Sequence, residues 1–255
     1  MSFNEFGNLR ESIIKVRQET EQNLEKEKEE DWPIQDSGLL SGEEHSYNST
    51  FENLYPPEFS DLRDYIETKL SDRRGNAIGI DIGGIGSKLF TEFSFNFFKK
   101  SAGITLVDKR NPQEINRDSE IRHKVLEADI FSNQGRNKLK HWLGEDNIDV
   151  IFEKMHGALL NYPDDPTFLI TIFNRWYKLL GDKGLMFIQT PSLREDTLEL
   201  ARKFLDEIKN GKIGGITVNY EVKAPNKFGS RIHLVLEKNI NAPESLIQER
   251  STLKD

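Results

Sequence analysis

The stretch AIGIDIGGIGSKLF, residues 77–90, decides how this chain is read. Its first six residues are almost continuously apolar, the pattern of a strand covered on both faces. Asp81-Ile82-Gly83-Gly84-Ile85-Gly86 then turns the chain, and SKLFTEFSFNFF (87–98) carries a helical pattern. Glycines at a strand-to-helix turn let the backbone approach a ligand closely, with amide groups and the helix N-terminus facing it. The same glycines also close a βα unit for steric reasons alone. At this point a binding loop and a structural turn both stand.

The rest of the chain extends the pattern. Apolar runs recur at GITLVD (103–108), KVLEADI (124–130), IDVIFE (148–153) and GLMFIQT (184–190), with a final pair at ITVNYEV (216–222) and RIHLVLE (231–237). Between them, Phe168, Ile172, Trp176 and Leu179 fall at helical spacing, as do Leu198, Ala201, Leu205 and Ile208. Alternating strands and helices mean βαβ units and a parallel sheet. Only eight residues, Pro225, Asn226 and Gly229 among them, separate the last two runs. That is too short for a crossover helix, so this pair is antiparallel.

Upstream, residues 8–30 read as a helix rich in Glu, Lys and Gln, stopped by Pro33. Residues 34–50 read as a loop or lid, and 57–70 as a second helix with Phe59, Leu62, Tyr65, Ile66 and Leu70 on one face. Tyr47, Phe51 and Tyr55 either form an aromatic lid or pack this segment against the sheet. The expected division is a helical N-terminal extension and lid at 1–74, an α/β domain at 75–240 and a tail at 241–255. Residues 1–74 hold 18 Asp/Glu against 9 Lys/Arg, so the net charge of −8 belongs to this segment. The remainder is close to neutral and lacks the basic footprint of a general nucleic-acid binder. The acidic helix is a candidate surface for a protein partner.

Composition removes other classes. With no cysteine, the chain has no disulfide, thiolate metal site or cysteine nucleophile. No stretch approaches the roughly 18–20 apolar residues of a membrane helix. The start MSFNEFGNLRES lacks a basic region followed by an apolar run, so no secretory signal and a cytoplasmic location are expected. No Gly-Lys-Ser/Thr occurs, which removes a Walker A loop. Gly79-Ile80-Asp81-Ile82-Gly83-Gly84 also fits the first phosphate loop of actin-like sugar kinases, but the later strands do not repeat it.

Four strand ends carry candidate chemistry at one sheet edge. After the glycine turn comes Asp108 in TLVDKR, where a carboxylate can accept ribose hydroxyls across the switch point of the sheet. Asp129 in LEADIF can receive an adenine amino group beside the apolar Ile130 and Phe131. The fourth run ends in Glu153 and Lys154, followed by His156. Asp108 and Asp129 can equally be turn residues. His156 is either a general base or a loop histidine satisfied by backbone.

Residues 75–238 resemble a class I S-adenosylmethionine-dependent methyltransferase. Asp81-x-Gly83 matches the start of that family's glycine motif, Asp108 its ribose acid, and Ala128-Asp129-Ile130 its adenine-side motif. The final antiparallel hairpin is similar to the family's strand order. The resemblance implies a three-layer Rossmann-like sheet binding S-adenosyl-L-methionine. Asp81, Gly83, Gly84, Ile85, Gly86, Asp108, Lys109, Asp129, Ile130, Glu153 and Lys154 would lie at the cofactor, with His156 beside the methyl donor and no metal. The resemblance leaves the methyl acceptor unidentified, a small molecule being favoured over a nucleic acid; the alternative is a non-catalytic binding or scaffold protein on the same fold. Three features depart from the family. The glycines stand two, three and five residues after the acid, with Ile85 and Ser87 where glycines are usual, and Asp108 lies farther along than usual. No Asn/Asp-Pro-Pro-Tyr follows the fourth strand, which speaks against the amino-methylating DNA enzymes.

Overall fold

A computed structural model describes residues 36–40, 46–108, 110–154, 164–226 and 229–247. Within them the elements run α1 (Tyr47–Phe51), α2 (Leu62–Lys69), β1 (Ala77–Ile82), α3 (Ser87–Thr91), β2 (Phe98–Thr105), α4 (Pro112–Glu120), β3 (His123–Glu127) and α5 (Asn133–Leu143). There follow β4 (Ile148–Lys154), α6 (Pro166–Leu179), β5 (Leu180–Gln189), α7 (Glu195–Lys209), β6 (Ile216–Asn226) and β7 (Gly229–Lys238). The strands form one sheet in the order β3-β2-β1-β4-β5-β7-β6. All neighbours are parallel except β7, which runs antiparallel to both β5 and β6. This is the mostly parallel three-layer sheet with a closing antiparallel hairpin that the sequence predicts.

Every residue of β1 and β4 is buried, as their continuous apolar runs require of central strands. Alternation sends Ile80, Ile82, Ile151 and Ile188 to one face, under Phe168, Ile172 and Trp176 of α6 and Ala201 and Leu205 of α7. The other face carries Phe98, Val150, Phe152 and Phe187, covered by Tyr47 and Phe51 of α1, Leu62, Tyr65 and Ile66 of α2, and Phe90 of α3. Tyr47 meets Phe152 edge-on at 5.0 Å and Phe51 meets Phe187 at 5.5 Å. The aromatic residues of 46–70 therefore form a covering layer of the sheet, each burial contributing about 1.5–3 kcal/mol. At the other end Leu246 is buried, its N–H donating to the Asn174 side chain at 2.8 Å.

Several boundaries differ from the sequence expectation, α2 starting at Leu62 rather than at residue 57 and β5 at Leu180 rather than Gly184. β2 begins at Phe98, not Gly103: Lys99 and Lys100 disguise its start, yet Lys100 Nζ reaches the carbonyls of Trp142 and Leu143 at 3.0 and 2.8 Å, at the end of α5. α3 stops at Thr91 rather than continuing through Phe98, because an intervening turn lets Phe93 and Phe97 stack on each other and both meet Phe98 edge-on in the core. β3 ends at Glu127, and Asp129 already belongs to the turn into α5. The predicted helix at 8–30 lies outside the described residues.

Candidate functional site

β1 lies between β2 and β4, and the chain reverses its direction of winding there, the switch point at whose carboxyl edge open α/β sheets bind ligands. The glycine loop sits at this edge. The Gly83 N–H donates to Ile104 O at 2.8 Å, prolonging the β1–β2 ladder by one bond. Gly83 has φ +85° and Gly86, the residue before α3, has φ +72°, conformations costly for other residues. The loop then lies down on β2: a Cβ at Gly103 would stand 1.9 Å from the carbonyl oxygen of Ile85.

His123 on β3 braces this loop. Its Nε2 is 2.8 Å from Ile85 O and its Nδ1 2.9 Å from Ser101 Oγ. A carbonyl can only accept, so Nε2 carries the proton and Nδ1 accepts from the serine. Burial pushes the His123 pKa down to about 4, so the ring is neutral at physiological pH.

Asp81 and Glu153 flank β1 and β4 on opposite faces, since Asp81 pairs in register with Phe152 and Ile82 with Glu153. Asp81 is buried. Its Oδ1 accepts the Tyr47 hydroxyl at 2.7 Å and its Oδ2 lies where a Cβ on Gly84 would come within 2.2 Å. Burial raises its pKa to about 7, against the opposing Tyr47 bond. Lys154, also buried, places Nζ 5.1 Å from the Tyr47 ring centre. Glu153 is fully buried; neither carboxylate oxygen has a well-formed hydrogen bond, and the Trp176 indole N–H is the donor that acts on it. Burial drives its carboxyl well above the usual range, and the charge of Asp81 adds to this.

Asp108 stands three residues beyond Thr105, the last residue of β2. Arg110 grips it from two sides, Nε on Oδ1 at 3.0 Å and NH2 on Oδ2 at 2.7 Å. Burial would raise this carboxyl, but the Arg110 contacts outweigh it and hold the group below its usual range. Asp129 Oδ1 accepts the Phe131 N–H at 2.8 Å, and its carbonyl accepts from Ser132 N, so it shapes the start of α5. Ile130 and Ile85 are buried. Lys109 and His156 lie outside the described residues.

The structure thus brings the glycine loop, Asp81, Asp108, Asp129, Glu153 and Lys154 to one sheet edge. Sequence reasoning did not find Arg110, Asp118, Ser87 or His123. Arg110 stands two residues after the acid that was singled out, and Asn111-Pro112-Gln113-Glu114 spells a helix start with a capping box, which the structure confirms. On the far side of β4, Gln189 Oε1 is buried without a partner, and His233 Nδ1 donates to Thr50 O at 2.9 Å. Among the described residues no group of three His, Asp or Glu is placed to hold a metal ion, and no helix is long and apolar enough to cross a membrane.

No protein-family model matches the chain, and no curated protein matches it. Solved structures do. An rRNA methylase from Streptococcus thermophilus is 15% identical, with a TM-score of 0.42 over 69% of this chain and 93% of its own. The N-methyltransferase NodS from Bradyrhizobium japonicum WM9, in complex with S-adenosyl-L-homocysteine, is 16% identical, with a TM-score of 0.41 over 85% of this chain and 97% of its own. A Burkholderia thailandensis 1,6-didemethyltoxoflavin-N1-methyltransferase with bound S-adenosylhomocysteine is 16% identical, with a TM-score of 0.40 over 69% and 76%. The strand order and the antiparallel β7 are those of the class I methyltransferase fold.

Proposed function

We propose that this chain binds S-adenosylmethionine at the carboxyl edge of β1, β2 and β3 and transfers its methyl group to an acceptor, a small molecule in preference to nucleic acid. The observation that carries this reading is the glycine loop lying at the switch point of the sheet, with Asp108 three residues beyond the next strand. The residues also fit the charge of the cofactor. S-Adenosylmethionine bears a sulfonium and an ammonium against one carboxylate, and Glu153 is a buried carboxyl whose oxygens have no well-formed hydrogen bond, with only the Trp176 indole N–H as a nearby donor. The loop of Gly83–Gly86 would meet the nucleoside by its backbone, Asp108 its ribose, and Asp129 and Ile130 its base. Bound there, the cofactor supplies an electrophilic methyl group.

The protein's share of the chemistry is then positioning. Holding donor and nucleophile in line supplies a large part of the acceleration in such transfers, without an obligatory base. His156 remains the candidate base at the end of β4. The near-neutral charge outside residues 1–74 favours a small acceptor over a polyanion.

A non-catalytic binding protein is the second reading. It is favoured by the engagement of Asp81 with Tyr47 and of Asp108 with Arg110. Titration calorimetry with S-adenosylmethionine and S-adenosylhomocysteine tests the first step, with micromolar binding expected. Loss of the donor methyl in the presence of candidate acceptors, followed by mass spectrometry, separates the two readings. Absence of binding to either ligand overturns the cofactor assignment; binding without turnover favours the second reading.

A further inference from the structure

The guanidinium of Arg110 joins three parts of the candidate nucleoside cradle. On one side it holds Asp108: Nε and the backbone N–H both donate to Oδ1, at 3.0 and 3.1 Å, and NH2 donates to Oδ2 at 2.7 Å. On the other, NH1 donates to Asp118 Oδ2 at 2.7 Å. Asp118 is a fully buried residue of α4, and the same oxygen accepts the hydroxyl of Ser87, the first residue of α3 after the glycine loop. The Arg110 side chain is only 8% exposed, so this network is shielded from water. The start of α3, the body of α4 and the acid after β2 are tied through one side chain.

The count of lone pairs makes this specific. A carboxylate offers about four acceptor directions, two on each oxygen. Oδ1 of Asp108 already accepts two bonds and Oδ2 accepts one. A ribose hydroxyl therefore finds its opening on Oδ2. A planar guanidinium held at both ends also fixes the rotation of the carboxylate, which a lysine ammonium cannot do.

We propose that Arg110, anchored by Asp118, is a positioning residue that aims Asp108 Oδ2 at a single ribose hydroxyl. The proposal rests on the nucleoside reading of the site. Holding the carboxyl ionised, as the Arg110 contacts do, strengthens the bond it offers.

The test compares S-adenosylhomocysteine with its 2′-deoxy and 3′-deoxy analogues by calorimetry, on the whole chain and on Arg110→Lys. The intact protein is expected to lose about tenfold or more in affinity on one analogue and little on the other. In Arg110→Lys that penalty should shrink to within about threefold, while the indifferent analogue changes only in parallel with the parent ligand. Taking the ratio within each protein cancels any general weakening of the site. Should Arg110→Lys fail to fold, Asp118→Ala removes the anchor and leaves the guanidinium; the same shrinkage is expected. Equal large penalties on both analogues in the intact protein would show Asp108 taking both hydroxyls and overturn the proposal, with the cofactor reading intact. A penalty that survives substitution of Arg110 or Asp118 overturns the positioning role. Failure of the intact protein to bind S-adenosylhomocysteine is a different result, and it removes the cofactor reading itself.

Discussion

The Tyr47 hydroxyl donates to Asp81 Oδ1 at 2.7 Å, pinning α1 to the end of β1 across 34 residues of sequence. Both side chains are almost wholly buried, at 2% and 3% exposure, so water cannot replace the bond if it is lost. The contact ties the covering layer of the sheet to the acid that begins the glycine loop.

This pair makes stability depend on pH. Burial raises Asp81 to about 7 in the fold, while in the unfolded chain it titrates in the ordinary carboxylate range. The folded state thus holds a proton that the unfolded state releases. The Asp81 contribution is fully present below the unfolded pKa and is lost as pH rises toward about 7, at up to about 1.4 kcal/mol per unit. Asp81→Asn mimics the protonated form and should remove this slope. Urea midpoints at about pH 5 and about pH 8 check it, the difference from the intact protein cancelling the slope Glu153 adds. Parallel profiles would refute it. Tyr47→Phe should cost about 1–3 kcal/mol, more at the higher pH, where it strands a charged partner.

The N-terminal segment divides by where its apolar residues go. Residues 1–30 hold eight Asp/Glu against five Lys/Arg and few apolar side chains. A chain starting near residue 31 should keep its thermal transition within a few degrees. A chain starting at residue 52 loses Leu39, Tyr47 and Phe51, all buried, and truncating such side chains costs about 2–5 kcal/mol each. That exhausts the stability of an ordinary domain, about 5–15 kcal/mol, so this chain should not melt cooperatively. Circular dichroism melting of the two truncations decides it.

How much of this was legible in the sequence follows from which signals are local. β1, β4 and the closing hairpin were readable because buried central strands write continuous apolar runs, and an eight-residue link forbids a crossover. β2 was read five residues short because Lys99 and Lys100 interrupt the pattern with side chains whose charges reach solvent or helix-end carbonyls. The site's acids were found by their place at strand ends. Their partners were not, since no spacing rule connects Tyr47 to Asp81, or Asp118 to Ser87 and Arg110. Those bonds exist only once the sheet has brought distant segments together.

The seat of the glycine loop on β2 gives a sharper test than the loop's own glycines. Gly83 is at positive φ and Gly84 lies under Asp81, so alanine at either position strains the fold as well as any ligand contact. Gly103 is different, because it touches the loop from β2. Its Cβ would stand 1.9 Å from Ile85 O and 2.6 Å from Gly84 O, both backbone atoms. Gly103→Ala must push the loop away, at a cost of about 1–3 kcal/mol, and affinity for S-adenosylhomocysteine should fall with it. Gly144→Ala is the control: φ is +69° with nothing within 4 Å, so its cost is backbone strain alone, above about 1 kcal/mol, and it should bind normally. A folded Gly103→Ala protein with unchanged affinity would separate the loop from the ligand.

Glu153 offers the most direct test of what this sheet edge is for. A buried carboxyl with no well-formed hydrogen bond, and only the Trp176 indole N–H as a nearby donor, burdens the fold, and replacing it with an apolar side chain of similar size should stabilise the protein. Glu153→Leu is therefore expected to raise the melting temperature by a few degrees. If its place at this edge serves a cationic ligand, the same change should weaken S-adenosylmethionine, which carries the sulfonium charge, more than S-adenosylhomocysteine, which lacks it. A drop of about tenfold in the ratio of the two affinities corresponds to about 1.4 kcal/mol of charge interaction. Because burial shifts the Glu153 carboxyl toward its protonated form, a cation arriving beside it should favour release of that proton. Calorimetry in buffers of different ionisation heat would register the release for S-adenosylmethionine and not for S-adenosylhomocysteine. A higher melting temperature with the ratio and proton release unchanged would make Glu153 a frustrated core residue. A lower melting temperature would mean that the carboxyl stabilises the fold after all, and the argument from its unmet oxygens would fail with it.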